Sequence, residues 1–157
     1  MTASITFAIP FYNDVDFLQI AIEIVLAQFE EGWRLIVVDV SGSDLGVEAI
    51  VAGYSDDRMS YVSNGKNLGM VETWNRCLDL AETDLVNLLH ADDVLLPNYM
   101  DVMVELGERF PEASVFFCET DIINVDGKAV FSLADWVKKF LVPRTDGAEW
   151  GLEGEEA

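Results

Sequence analysis

The sequence has little positive charge. Nine lysines and arginines stand against 29 acids, for a formal net charge of -20 with a single histidine. A field of that sign repels a phosphate backbone and anionic lipid, which argues against a nucleic-acid binder. It also repels a nucleotide unless a divalent cation stands between. Cysteine is scarce too. Cys77 and Cys118 alone exclude a disulfide scaffold and any four-cysteine zinc site, and the default compartment is a reducing one. No run approaches about 18 consecutive apolar residues, so no transmembrane segment is expected. The first basic residue is Arg34, which fits neither a signal peptide nor an arginine-rich presequence. The expected location is cytoplasmic. Eleven glycines and four prolines rule out a collagen-like chain, and 51% hydrophobic residues rule out a mostly disordered one. G-x-G-x-x-G, G-x-x-x-x-G-K and G-x-S-x-G are all missing.

What is present is one domain's worth of alternating apolar and amphipathic runs in 157 residues. Ile5 to Pro10 reads as a strand. Residues 15 to 29 carry Val15, Leu18, Ile22, Val25, Leu26 and Phe29 at helical spacing, with Asp14 as N-cap. Leu35 to Val38 is a second strand ending at Asp39, and Leu45 to Tyr54 a short helix. Met59 to Val62 is a third strand. Met70 to Ala81 is a helix with Val71, Trp74 and Leu78 inward. Leu85 to Leu89 is a fourth strand, and Pro97 opens a helix to Phe110. Val115 to Cys118 is a fifth strand. Asp126-Gly127 is a hairpin-like turn before a short strand at Lys128 to Phe131, and Leu133 to Leu141 is a helix. The tail from Thr145 is acidic and expected to be loose. This order predicts an α/β fold with a mostly parallel sheet and helices on both faces. Ligands then bind beyond the carboxyl ends of the strands.

Several constellations fall at those ends. Asp92 and Asp93 in His90-Ala91-Asp92-Asp93 are placed to hold a hard cation, or one caps the next helix while the other is solvated. His90 is either a further ligand or a polar residue of a cleft wall. Asp39 either accepts hydrogen bonds from a base or ribose or caps a turn. Asn13 serves a ligand or fixes the turn before the helix, and Tyr12 stacks on a base or packs. In Asn67-Leu68-Gly69 the glycine allows close backbone approach, or makes a plain turn into a helix. Trp74 reads as core. Cys77 lies in a helix and Cys118 in a buried strand, so no cysteine nucleophile is expected. A receiver-like domain would need an acidic pair after the first strand, where Tyr12-Asn13-Asp14 stands.

Four segments in order carry a family resemblance: Ile5 to Asn13 with its P-x-Y-N turn, Leu35 to Asp39 followed by Ser41-Gly42-Ser43-Asp44, Asn67-Leu68-Gly69 with Trp74-Asn75, and Leu88 to Asp93 with Pro97. Together they resemble the nucleotide-sugar-binding half of glycosyltransferase family 2, over about residues 4 to 130. The resemblance implies a GT-A (Rossmann-like) three-layer α/β/α sandwich. It implies that Pro10, Tyr12 and Asn13 line the base pocket and that Asp39 bonds the base or ribose. Asn67 and Gly69 join the nucleotide-sugar site. Asp92 and Asp93 bind Mn2+ or Mg2+ bridging the diphosphate, and Asp92 also touches the sugar. The metal neutralises the departing diphosphate. The donor is a UDP-, GDP- or dTDP-sugar and the acceptor a saccharide or lipid-linked hydroxyl, which would bring the protein to the inner face of the membrane. Three positions leave the family pattern: Val40 replaces the second Asp of V-V-D-D, His90 the first Asp of the D-x-D region, and Trp74 a basic residue.

On this reading residues 1–130 are the donor-binding domain and 131–157 a partial helix with the acidic tail. The acceptor half and the catalytic base of an inverting transfer are expected beyond residue 157, so the chain reads as truncated. The alternative is a non-catalytic binding or interaction module of the same fold, self-associating through unfinished sheet edges.

Overall fold

A computed structural model describes residues 5–43 and 45–131. The chain divides into two units, Met1–Phe116 and Phe117–Ala157. In the first, strands and helices alternate: β1 Ile5–Phe11, α1 Val15–Leu26, β2 Trp33–Asp39, α2 Val47–Gly53, β3 Met59–Ser63, α3 Met70–Leu80, β4 Leu85–Leu88 and α4 Tyr99–Arg109. The strands form one parallel sheet in the order β3-β2-β1-β4. Ile5 of β1 lies between Trp33 of β2 and Leu85 of β4.

The central strands are apolar throughout because both faces are covered. Alternation sends Phe7, Ile9, Leu35 and Val37 into a core with α1, α2 and α4. It sends Ala8, Ile36 and Val38 to the opposite face, against Cys77 of α3. The division of helices follows from handedness. From β1 to β2 to β3 the chain moves one way across the sheet, and from β3 to β4 it returns past β1. Right-handed crossovers in opposite directions place their helices on opposite faces. The expected three-layer arrangement is present.

Four local expectations are corrected. The first helix ends at Leu26, and Phe29 beyond it is exposed. Helix α3 is rotated from the face its apolar residues suggest. Val71 and Leu78 are exposed and Trp74 is half-buried, while Thr73 and Cys77 are the buried residues, Cys77 against the sheet. The facing strand offers Ala8, and a helix that packs closely over a small residue presents small side chains of its own. Val115 to Cys118 is not a strand: Val115 is 75% exposed, Cys118 is exposed, and the run pairs with none of the four strands of the sheet. An apolar run becomes a strand only where a neighbouring strand pairs with its backbone, and this run has no such partner among the described residues. In the second unit the Asp126-Gly127 turn is present, but only the bridge between Ile123 and Ala129 flanks it, not a strand over Lys128 to Phe131. The helix expected over Leu133 to Leu141 and the acidic tail lie outside the described residues. Among the described residues no helix is long and apolar enough to cross a membrane.

Candidate functional site

The strand order reverses between β1 and β4. At such a switch point the loops leaving two neighbouring strands diverge and open a crevice beyond their carboxyl ends. A cleft of about 470 Å³ lies there. The end of β1 contributes Pro10 and the loop after it Tyr12 and Asn13, the approach to α3 contributes Asn67 and Gly69, and the loop after β4 contributes Asp92. The structure therefore brings six of the expected residues to one place.

Each loop has its own local cause. After β1, Asp14 adopts a left-handed conformation (φ 67°) and its carboxylate accepts from the Phe17 amide at 3.3 Å, which starts α1 sharply. That turn leaves Tyr12 55% exposed over the cleft. Before α3, the Asn67 side chain accepts from the Gly69 amide at 2.7 Å. Gly69 has φ 78°, a value that favours glycine, and nothing lies within 4 Å of where its Cβ would stand. The glycine is there for its torsion, and the space beside it is open. Thr73 Oγ1 then donates to the Gly69 carbonyl at 2.7 Å. After β4, the Asp93 amide donates to the His90 carbonyl at 3.0 Å, so the two acids sit in a tight turn. Asp92 lines the cleft and Asp93 does not.

Asp39 is placed elsewhere. It opens into a second hollow of about 660 Å³ between the end of β2, β3 and α2, while the next residue, Val40, lines the first cleft. Successive residues at a strand end point to opposite faces, which separates them. Asp39 is 4% exposed, and both carboxylate oxygens are engaged. Oδ1 accepts from the Ser41 amide at 2.8 Å and Oδ2 from the Tyr61 hydroxyl at 2.9 Å. Burial, and secondarily the bond to Asp39, push the Tyr61 phenol above its ordinary range.

Trp74, read from spacing as core, instead lines the cleft and lies against the His90 ring, with centroids 5.5 Å apart and planes at 49°. Only the rotation of α3 exposes this pair, so residue spacing could not show it. Burial pushes the Cys77 thiol up to about 11, so it is not a nucleophile.

The charges of the cleft are one-sided. Asp14 and Asp92 line it, and no lysine or arginine lines either hollow among the described residues. Those residues also hold no group of three or more histidine, cysteine or acidic side chains able to cage a metal. A small hard cation does not need such a cage. It keeps several waters and takes one or two carboxylates plus oxygens from a phosphorylated ligand. Asp92, with Asp93 in the same turn, fits a cation of that kind.

A family model described as Glycosyl transferase family 2 matches residues 6–142. The succinoglycan biosynthesis protein ExoO of Rhizobium meliloti is 27% identical over 126 residues, covering 80% of this chain and 36% of its own length. The structure of S. aureus TarS 1-349 in complex with UDP aligns at a TM-score of 0.62 and 15% identity, over 69% of this chain and 33% of that one. The mannosyltransferase PcManGT of Pyrobaculum calidifontis, in complex with GDP-Man and Mn2+, aligns at 0.57 and 17%, over 70% of this chain and 33% of that one. The chain spans 14% to 41% of the length of the curated relatives it matches.

Proposed function

The chain belongs to glycosyl transferase family 2, and from that premise we propose that the switch-point cleft binds a nucleotide-diphospho-sugar through a divalent cation. The observation that carries this reading is the charge of the cleft. Its carboxylates, Asp14 and Asp92, are balanced by no lysine or arginine among the described residues, with His90 beside them, so an anionic diphosphate enters only with its charge neutralised. Asp92, supported by Asp93, is the proposed ligand of Mn2+ or Mg2+. Bound there, the cation supplies Lewis-acid stabilisation to the leaving diphosphate.

The remaining roles belong to this chain's own side chains. Tyr12, exposed at the cleft edge, offers an aromatic face to the base. Pro10 and Asn13 border the same pocket. Asn67 and Gly69 leave room for close approach at the start of α3. The proposed reaction is inverting. An acceptor hydroxyl oxygen attacks the anomeric carbon, the bond from that carbon to the phosphate oxygen breaks, and the diphosphate leaves with the electron pair. The hydroxyl proton passes to a general base. Asp39 is proposed as a base or ribose contact only from the second hollow, after exchanging its bond to Tyr61 for one to the ligand.

The reading is tested by calorimetric titration of UDP and of GDP, with and without Mn2+. Manganese is expected to tighten binding of one nucleotide by about tenfold or more, near 1.4 kcal/mol. Asp92→Ala should remove that gain while leaving the metal-free affinity. An identical manganese effect in wild type and Asp92→Ala would refute the assignment.

A further inference from the structure

Gln28 lies outside the cleft, just beyond the end of α1, and is only 7% exposed. Its amide is fully used. Nε2 donates to the Ile24 carbonyl at 3.3 Å and to the Leu96 carbonyl at 3.0 Å, and Oε1 accepts from the Met100 amide at 3.0 Å. The adjacent Phe29 amide donates to the Pro97 carbonyl at 3.1 Å. The end of α1 thus grips the chain at Leu96, Pro97 and Met100.

That chain is the link between β4 and α4, and it carries Asp92. Its beginning is fixed to the sheet, because the Leu89 amide donates to the Ala8 carbonyl at 3.0 Å. Its far end closes one turn of its own, the Tyr99 amide donating to the Leu96 carbonyl at 2.9 Å, but the next amide of α4 finds no acceptor there. Asn98 makes no side-chain cap bond to α4, and the Met100 amide is one of the first-turn donors that a helix leaves unpaired. Gln28 supplies that missing acceptor from another helix.

We propose that Gln28 is a positioning residue for the donor site: by fixing the far end of the link it sets where Asp92 stands in the cleft. The proposal rests on the donor-site reading above. Only a side chain with both a donor and an acceptor serves here. Leucine would leave the Met100 amide unpaired and the Leu96 carbonyl with the Tyr99 amide alone, and glutamate would keep the acceptor but lose the donor to Leu96. A shift of about 1 Å in a positioned group is worth on the order of 100-fold in a reaction that depends on it.

The test compares Gln28→Leu, Gln28→Glu and Thr6→Val in the full chain. Thr6→Val removes a hydrogen bond of similar burial, Thr6 to Thr83 at 2.7 Å, at the opposite end of the sheet. UDP and GDP are titrated with and without Mn2+, and deuterium exchange is followed over residues 89–98. Gln28→Leu is expected to speed exchange in that segment and to cut the manganese-dependent gain about tenfold. Metal-free affinity should be unchanged, Gln28→Glu intermediate, and Thr6→Val should lower Tm without touching the gain. If Gln28→Leu does not fold, Gln28→Glu carries the comparison. Unchanged exchange at 89–98, or a gain that falls equally in Thr6→Val, overturns the proposal. If wild type shows no manganese-dependent gain, the donor-site reading itself fails, and the exchange measurement alone then decides whether Gln28 anchors the link.

Discussion

Tyr61 and Asp39 show how much a single hydrogen bond decides at the residue scale. The Asp39 carboxylate is buried, and the Tyr61 hydroxyl is the partner of one of its two oxygens. Tyr61→Phe leaves that oxygen unpaired, at a cost of about 1–3 kcal/mol at neutral pH, to be read by chemical denaturation. The same pair sets an alkaline limit. Tyr61 titrates above its ordinary value of 10.0 in the folded chain, because burial disfavours the phenolate and Asp39 accepts from the neutral form. A group raised on folding gives its full stabilisation below the unfolded pKa and loses it as pH rises through the folded one. Tm should therefore fall above about pH 9, where the Cys77 thiol, raised by burial from 9.0 to about 11, begins to lose its share, and further above about pH 10 through Tyr61. Tyr54 is raised as well, by burial and then by Glu23, and contributes in the same direction. Tyr61→Phe should flatten the alkaline fall without abolishing it, and a fall of unchanged steepness would refute the assignment. The acid at the end of a strand was visible in the sequence. Its partner was not, because Tyr61 lies 22 residues away on another strand.

Helix α3 carries the main lesson at the scale of the element. Its limits were legible: Gly69 and Met70 mark the start, and the run ends near Ala81. Its facing was not. Val71, Trp74 and Leu78 repeat at helical spacing, which by hydrophobicity alone points them inward, yet the residues buried are Thr73 and Cys77, with Cys77 against the sheet. The rotation makes a sharp prediction for denaturant unfolding. Leu78→Lys should change stability by no more than about 0.5 kcal/mol, and Cys77→Lys, which buries an unpaired charge one residue away, should cost at least about 3 kcal/mol. Equal costs would mean that the helix faces otherwise. The run at Val115 to Cys118 fails for a related reason. Composition favours a strand there, but a strand exists only where a neighbour pairs with its backbone, and that pairing is decided by residues far away in the chain.

Charge governs the molecule as a whole. With a formal net charge of -20, like charges repel throughout the folded chain. The scarce cations serve structure. Arg58 pairs through two nitrogens with Asp56, at 2.9 and 2.6 Å, and lies 3.7 Å from the centroid of the Trp33 ring. Arg34 approaches Glu82 at 3.8 Å. Raising salt from about 0.05 M to about 1 M should screen the surplus and raise Tm by about 4 °C, and a flat Tm would show that repulsion is already relieved. The sequence by itself determined the alternation of strands and helices, the acidic field, and the strand ends and loops at which Pro10, Asn67 and Asp92 stand, because these depend on neighbours within a few residues. Only the tertiary structure decided that these loops share one cleft while Asp39 opens into another. It also decided that Trp74 meets His90 and that Gln28 grips the link carrying Asp92. Each of these follows from strand order, crossover handedness and the rotation of a helix, and those are settled by contacts between residues far apart in the chain.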